Sequence, residues 1–342
     1  MDHAQGLAAR RRRLRALAAC VAVAALCGPA GISAAPPRVS PQEPIEEILV
    51  TGEQPGPGLW KVSQGDHVLW ILGSVTPLPK KFVWRSKQVE HVIADSQLLL
   101  GEAQVHTNIG FFRGAMLLPQ LIKARENEGG QTLQQVLPPD LYARWERQKQ
   151  RFMGSNSGVE RWRPMFAAQD LYAKALDKSG LSLRSVIWPT VTRLAKEHNV
   201  KIRRVETKLE VDDPKQMIRD FKTTPRDLDI ACLAATLDRL EHDLDGMKQR
   251  AQAWATGDLE TLRAGSYIDR DAACLAAATS AGSISQRYDA ARAQIFEDWV
   301  SAAAASLATN RSSFGVLPMA EILQSDGRLE RLRRRGYRIE AP

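Results

Sequence analysis

Four polar residues stand where apolar runs end, and their types can move protons or hold cations: Thr76, Glu102, Glu206 and Glu321. Glu102 is the most informative. It follows Leu98-Leu99-Leu100 inside an apolar stretch, where a carboxylate is costly to bury unless it is paired or bound to a metal. Glu102 and Glu321 facing each other across a cleft would make an acid/base pair, or an oxygen-rich site for Mn or Ca. The two-residue period of a strand puts Gln104 and His106 on the side of Glu102, so Glu102 and His106 are two candidate metal ligands. The plainer readings are that His106 already lies in the next loop and that Glu102 pairs with an Arg; a lone His is weak ground for a metal site. His67 and His91 fall in a hairpin and on a helix, where surface or packing roles suffice. The chain has no Gly-x-Gly-x-x-Gly after a strand, no Walker loop, no His-Glu-x-x-His and no Gly-x-Ser-x-Gly. Nucleotide-binding, zinc-protease and serine-esterase chemistry of the common kinds is thereby disfavoured. The 8 Trp are scattered, as core and interface anchors are, and form no stacking platform.

These residues need strands to hold them. Leu59–Ser63 and His67–Leu72 flank Gln64-Gly65-Asp66, a hairpin signal, and the second run is apolar enough for a buried central strand. A helix is expected near Val83–Asp95, then a strand over Gln97–Val105. Strand, helix, strand predicts a βαβ crossover with parallel pairing. A helical block follows to about Ser185–Asn199, broken at Gly129-Gly130, Pro138-Pro139, Gly154–Gly158 and Gly180. Lys201–Glu206 is the next strand. The spacing of Ile230, Leu233, Leu237, Leu240, Leu244 and Met247 predicts one long helix over Asp227–Ala255, ended by Gly257, with Asp258 capping the next. A helix at Ser285–Ala308, a strand at Ser313–Leu317, a helix at Arg328–Arg335 with Gly336 as its cap, and a strand at Tyr337–Glu340 close the chain. Strands at both ends and helices between them predict an α/β (α+β) fold. Its central mixed β-sheet is built from N- and C-terminal βα units and carries a large helical insert.

The chain opens on Arg10–Arg13 and Arg15, then twelve uncharged residues from Ala16 to Cys27, then Gly28, Pro29 and small residues to Ala35. A charged start, a short apolar core and a small-residue exit describe a secretory signal peptide over residues 1–35, with cleavage after Ala34 or Ala35. Twelve residues fall short of the roughly 20 that span a bilayer. An uncleaved anchor is the alternative. Leu17-Ala18-Ala19-Cys20 spells a lipoprotein box, but almost no apolar core precedes it, so a lipid anchor at Cys20 is not expected. Residues 36–57, with six Pro, read as a linker, and residues 58–342 as the domain. The full chain carries net +8; the first 35 residues hold five Arg and one Asp, so the remaining 42 basic and 38 acidic residues leave +4. The six Arg within Arg328–Arg338 read as a solvated face. Nothing accompanies them to suggest a nucleic-acid partner. Cys20 and Cys27 leave with the signal, whereas Cys232 and Cys274 reach an oxidising compartment as an even pair. A disulfide is expected there, with two buried thiols as the alternative.

Taken in order, several segments resemble the TraB/GumN family, bacterial relatives of the Tiki proteases in a Tiki-like/EreA-ChaN-like superfamily. They are Gly58–Val62, then Leu72-Gly73-Ser74-Val75-Thr76-Pro77-Leu78-Pro79, then the strand carrying Glu102, and Val205-Glu206-Thr207. Trp254-Ala255-Thr256-Gly257-Asp258-Leu259, Gly327 and Gly336-Tyr337 complete the set. The resemblance implies metal-dependent hydrolysis in which two motif histidines and a Glu hold the ion. This sequence has Thr76 at the first histidine position and, in Pro318-Met319-Ala320-Glu321, Glu321 at the second. Thr is a poor ligand for a transition metal and Glu a hard one.

The motif positions Gly73, Thr76, Glu102, Glu206 and Glu321 therefore imply a scaffold without the histidines that would touch a metal, and no cofactor is expected. The implied function is a non-catalytic, periplasmic or secreted protein that binds a peptide, glycan or envelope protein, with no membrane span after cleavage. The alternative is a metal-dependent hydrolase or peptidase using Glu102 with substituted carboxylate ligands and a Mn- or Co-type ion. A third, resting on association with the family alone, is an accessory role in surface polysaccharide production.

Overall fold

The structure is a computed structural model. It describes residues 55–107, 117, 119–120, 122–209, 213–265, 270–280 and 283–342. The segment expected to be a signal peptide, most of the expected linker, Cys20 and Cys27 lie outside the described residues.

Strand β1 (Trp60–Gln64) and strand β2 (His67–Ser74) form the expected hairpin, in register from Trp60 opposite Ile71 to Gln64 opposite His67. Gly65 turns the chain at φ +61°, a conformation that costs glycine little. Short strands β3 (Leu78–Pro79) and β5 (Leu181–Ser182) pair antiparallel in a small second sheet. The main sheet adds β4 (Leu98–Thr107), β6 (Lys201–Leu209), β7 (Ser312–Pro318) and β8 (Arg338–Glu340), in the order β6-β4-β7-β2-β1-β8. The run β6, β4, β7 and β2 is mutually parallel; β1 is antiparallel to both β2 and β8. The fold is thus mixed α/β, with a central sheet drawn from the two ends of the domain.

The crossover from β2 to β4 departs from expectation in one respect. The two strands are parallel, but β7 lies between them and pairs with both. Ser313 to Leu317 are all buried, and an apolar strand of this kind needs a partner on each edge. Gly315 suits the position, since a Cβ there would come within 2.9 Å of Ile71 Cδ1. The connecting helix, Lys87–Ala94, begins later than the pattern suggests, because Ser86 caps it by accepting from Val89 N at 3.3 Å.

The expected long helix is two, Arg226–His242 and Leu244–Thr256. Asp243 breaks it at φ −125°, ψ 2° and is buried, accepting from Arg250 Nη1 at 2.8 Å and Nη2 at 2.7 Å. Apolar spacing runs through the break unchanged, so periodicity does not reveal it. Gly257 ends the second helix at φ +79°, and Asp258 caps the Leu259–Ala264 helix by accepting from Thr261 N.

The main core gathers β2, β4 and β7 with Trp254, Trp299 and the Ser283–Thr309 helix. A second core fills the helical insert: Trp145, Phe152, Leu171, Leu233 and Leu237 from helices Pro139–Met153, Pro164–Lys178 and Arg226–His242. Cys232 and Cys274 are disulfide-bonded with Cα atoms 4.4 Å apart, tying Arg226–His242 to the Arg270–Thr279 helix. Pro55 and Gly56, expected in the linker, pack on the domain: Gly56 N donates to Ala255 O and Trp84 Nε1 to Pro55 O. Among the described residues no helix is long and apolar enough to cross a membrane.

Candidate functional site

Parallel strands end on one edge of a sheet, and open α/β sheets present their ligand-binding residues there. At that edge Ser74, the last residue of β2, donates its hydroxyl to Glu102 Oε1 at 2.9 Å. Glu102 is aimed by an irregularity in β4. Its pairing with β7 ends at Leu100–Gly315, and its register with β6 shifts between Leu100 and Ala103. Such a bulge inserts one residue and re-aims a side chain. Strict alternation would have placed Glu102 on the side of Leu100, which is wholly buried. Burial pushes the Glu102 carboxyl above its usual range. The Ser74 hydroxyl pulls it back, and the negative charge of Glu321 pushes it further up.

Glu321 arrives from β7 through the short helix Met319–Leu323. Both its carboxylate oxygens accept from Arg328 Nη1. Arg328 opens the Arg328–Arg334 helix and is 6% exposed, so the expectation of a solvated arginine face fails at its first member. Its guanidinium lies 5.0 Å from the centre of the Phe296 ring and 6.0 Å from that of Trp299, and its Nε is buried without a partner. Arg331 and Arg335 pair with Glu297 at the surface, and those two do behave as a solvated face.

Two indoles hold this edge in place. Trp254 Nε1 donates to Gly73 O at 2.7 Å, and Trp299 Nε1 donates to Gly101 O at 2.9 Å. Each pins the carbonyl just before a site residue, Ser74 in one case and Glu102 in the other. Gly73 also admits Met319, whose Cε would lie 2.5 Å from a Cβ at position 73.

Glu102 thus has Ser74 as its partner and Glu321 has Arg328, and the two carboxylates are linked through charge. Thr76 and Glu206 are exposed. Glu206 instead meets His106 and Arg204, each at 3.7 Å. His106 is still in β4, not in a loop, and its neighbour is the Glu206 carboxylate. Sequence reasoning missed Ser74, Arg328 and the bonding of both tryptophans. Ser74 carried a signal, since it shares the Gly73–Thr76 segment; Arg328 carried none, standing among five other arginines.

These residues do not suit the divalent ion that the resemblance implies. The donors are two carboxylates and a hydroxyl. One carboxylate has both oxygens on a buried guanidinium, whose positive charge would oppose a cation, and the other is pushed toward its protonated form. A second cluster, Asp238, Glu241 and His242, has ligand atoms within 4.8 Å of one another, but Arg144 already donates to Asp238 at 2.6 Å and to Glu241 at 2.9 Å.

No curated protein and no solved structure matches the chain. The model of the TraB/PrgY/gumN family matches residues 58–341, from just before β1 through the last strand. The chain belongs to the TraB/PrgY/gumN family.

Proposed function

We propose that this is an exported, non-catalytic member of its family that binds a peptide, glycan or protein of the cell envelope. The observation that carries the reading is the Arg328–Glu321 pair: a buried guanidinium occupies the carboxylate that would otherwise join Glu102 in chemistry. Export is supported by the order of charged, apolar and small residues at the start of the chain, which reads as a signal peptide. A disulfide between Cys232 and Cys274 is compatible with an extracellular compartment. The linker and the domain after it would be the mature protein.

The test uses the purified protein without its signal peptide, with metal content and peptidase activity measured together after loading with Mn, Co or Zn. The expected result is less than stoichiometric metal and no hydrolysis. Stoichiometric metal together with hydrolysis that Glu102→Ala abolishes would overturn the proposal.

One observation favours a second reading. The negative charge of Glu321 helps to raise the Glu102 carboxyl, which is the kind of coupling an acid/base pair shows. Under that reading the protein is a carboxylate-based hydrolase, and its rate has a bell-shaped pH profile that Glu102→Gln and Glu321→Gln each remove.

A further inference from the structure

A cleft of about 800 Å³ opens on the helical insert, between the Lys123–Gly130 segment and the start of the Arg226–His242 helix. That volume lies within the range of small-molecule sites. Its floor includes Arg163 and Asp229, a buried bidentate pair at 2.7 and 2.9 Å whose charges cancel. The walls are not neutral in this way. Lys123, Lys222 and Arg226 line the cleft and form no ion pair among the described residues. The 17-residue helix that begins at Arg226 has Pro225 at its N-cap and no side-chain cap; Leu228 N donates to Pro225 O at 3.1 Å, and the positive end of the helix dipole lies at this wall. Thr224 lines the same wall; it is 8% exposed, and its hydroxyl is buried with no hydrogen-bond partner. A buried unpaired hydroxyl costs stability and calls for an acceptor from outside the fold.

We infer that this cleft binds a small ligand through a single oxyanion group, a carboxylate or a phosphate, held at the start of the helix by Thr224, Lys222 and Arg226. Uncapped helix N-termini and cationic side chains favour such groups. Glu126 and Glu128 on the opposite lip set the remainder of the ligand: it is neutral or cationic, so nucleic acids and polyanionic glycans are poor occupants. The inference does not rest on the Glu102 edge, and either can fail without the other.

Calorimetric titration of the disulfide-bonded protein, without its signal peptide, tests it with three probes: inorganic phosphate, acetylated trialanine with a free carboxylate, and the same peptide as its C-terminal amide. Phosphate or the free carboxylate binds with a Kd of about 1 mM or tighter, and the amide binds at least about tenfold more weakly. Which of the two oxyanions binds identifies the source. The Lys222→Ala/Arg226→Ala double variant weakens binding at least about tenfold. Thr224→Val also weakens it, while its urea midpoint stays level or rises because an unpaired hydroxyl has gone. The inference falls if neither oxyanion binds at about 10 mM, if acid and amide bind alike, or if the double variant binds as the parent does. A lower urea midpoint for Thr224→Val also overturns it, because the hydroxyl would then have an internal partner.

Discussion

Arg328→Ala is the perturbation that most directly tests how the sheet edge is held. Removing one member of a buried ion pair costs about 3–5 kcal/mol, because the other charge is left without a partner. The Glu321 side chain is 29% exposed and can partly rehydrate, which places the variant at the lower end. Loss of the contact with the Phe296 ring at 5.0 Å adds about 0.5–1 kcal/mol. The sum is about 3–4 kcal/mol. Glu321→Ala costs a similar amount, since it strands a guanidinium that is only 7% exposed. The double variant strands neither charge, so it loses less than the sum of the two, with a coupling of about 2–3 kcal/mol. Urea unfolding followed by tryptophan fluorescence and far-ultraviolet circular dichroism reads all four corners of the cycle. Losses that add, with coupling below about 0.5 kcal/mol, would refute the assignment of Arg328 as the partner of Glu321.

The remaining expectations concern the same edge and the insert. The raised Glu102 carboxyl means that, above about pH 4.5, the unfolded chain gives up this proton before the folded one does, so its contribution to stability is full at low pH and lost as pH rises through the folded value. Glu102→Gln is therefore more stable than the parent at pH 7, and the two converge below about pH 4.5. Urea midpoints across that range check it, and a difference independent of pH would count against it. Reducing the Cys232–Cys274 bond, which spans 42 residues, costs about 4 kcal/mol in the chain-entropy model, seen as a lower thermal midpoint in reductant and in Cys232→Ala/Cys274→Ala. Gly327→Ala meets backbone, with its Cβ 2.0 Å from Glu321 O, so the short helix carrying Glu321 must move; a loss of about 3 kcal/mol is expected in urea unfolding. Trp254→Phe leaves the Gly73 carbonyl unpaired and costs about 1–3 kcal/mol, measured in the same way.

Much of the architecture is written in local pattern. The two β-rich runs around Gly65, the apolar run of β2, the Gly257 stop with its Asp258 cap, and the carboxylate placed after Leu98-Leu99-Leu100 are each set by neighbours a few residues away, where backbone propensity and apolar period act. The pairing of Cys232 with Cys274 was open in the sequence as one of two choices. The packing of two helices brings their Cα atoms to 4.4 Å, within bonding reach.

Other features depend on contacts that no local window holds. The insertion of β7 between β2 and β4, the break at Asp243 and the burial of Arg328 all come from residues brought together across the fold. Trp254 reaches Gly73 across 181 positions and Trp299 reaches Gly101 across 198. The sequence by itself determined the kinds of element, most of their order and the presence of a misfit carboxylate on β4. Only the tertiary structure decided that Glu102 meets Ser74 and feels the charge of Glu321, while Thr76 and Glu206 face solvent. A side chain's chemistry depends on its burial and on the charges around it, and both arise when distant segments pack.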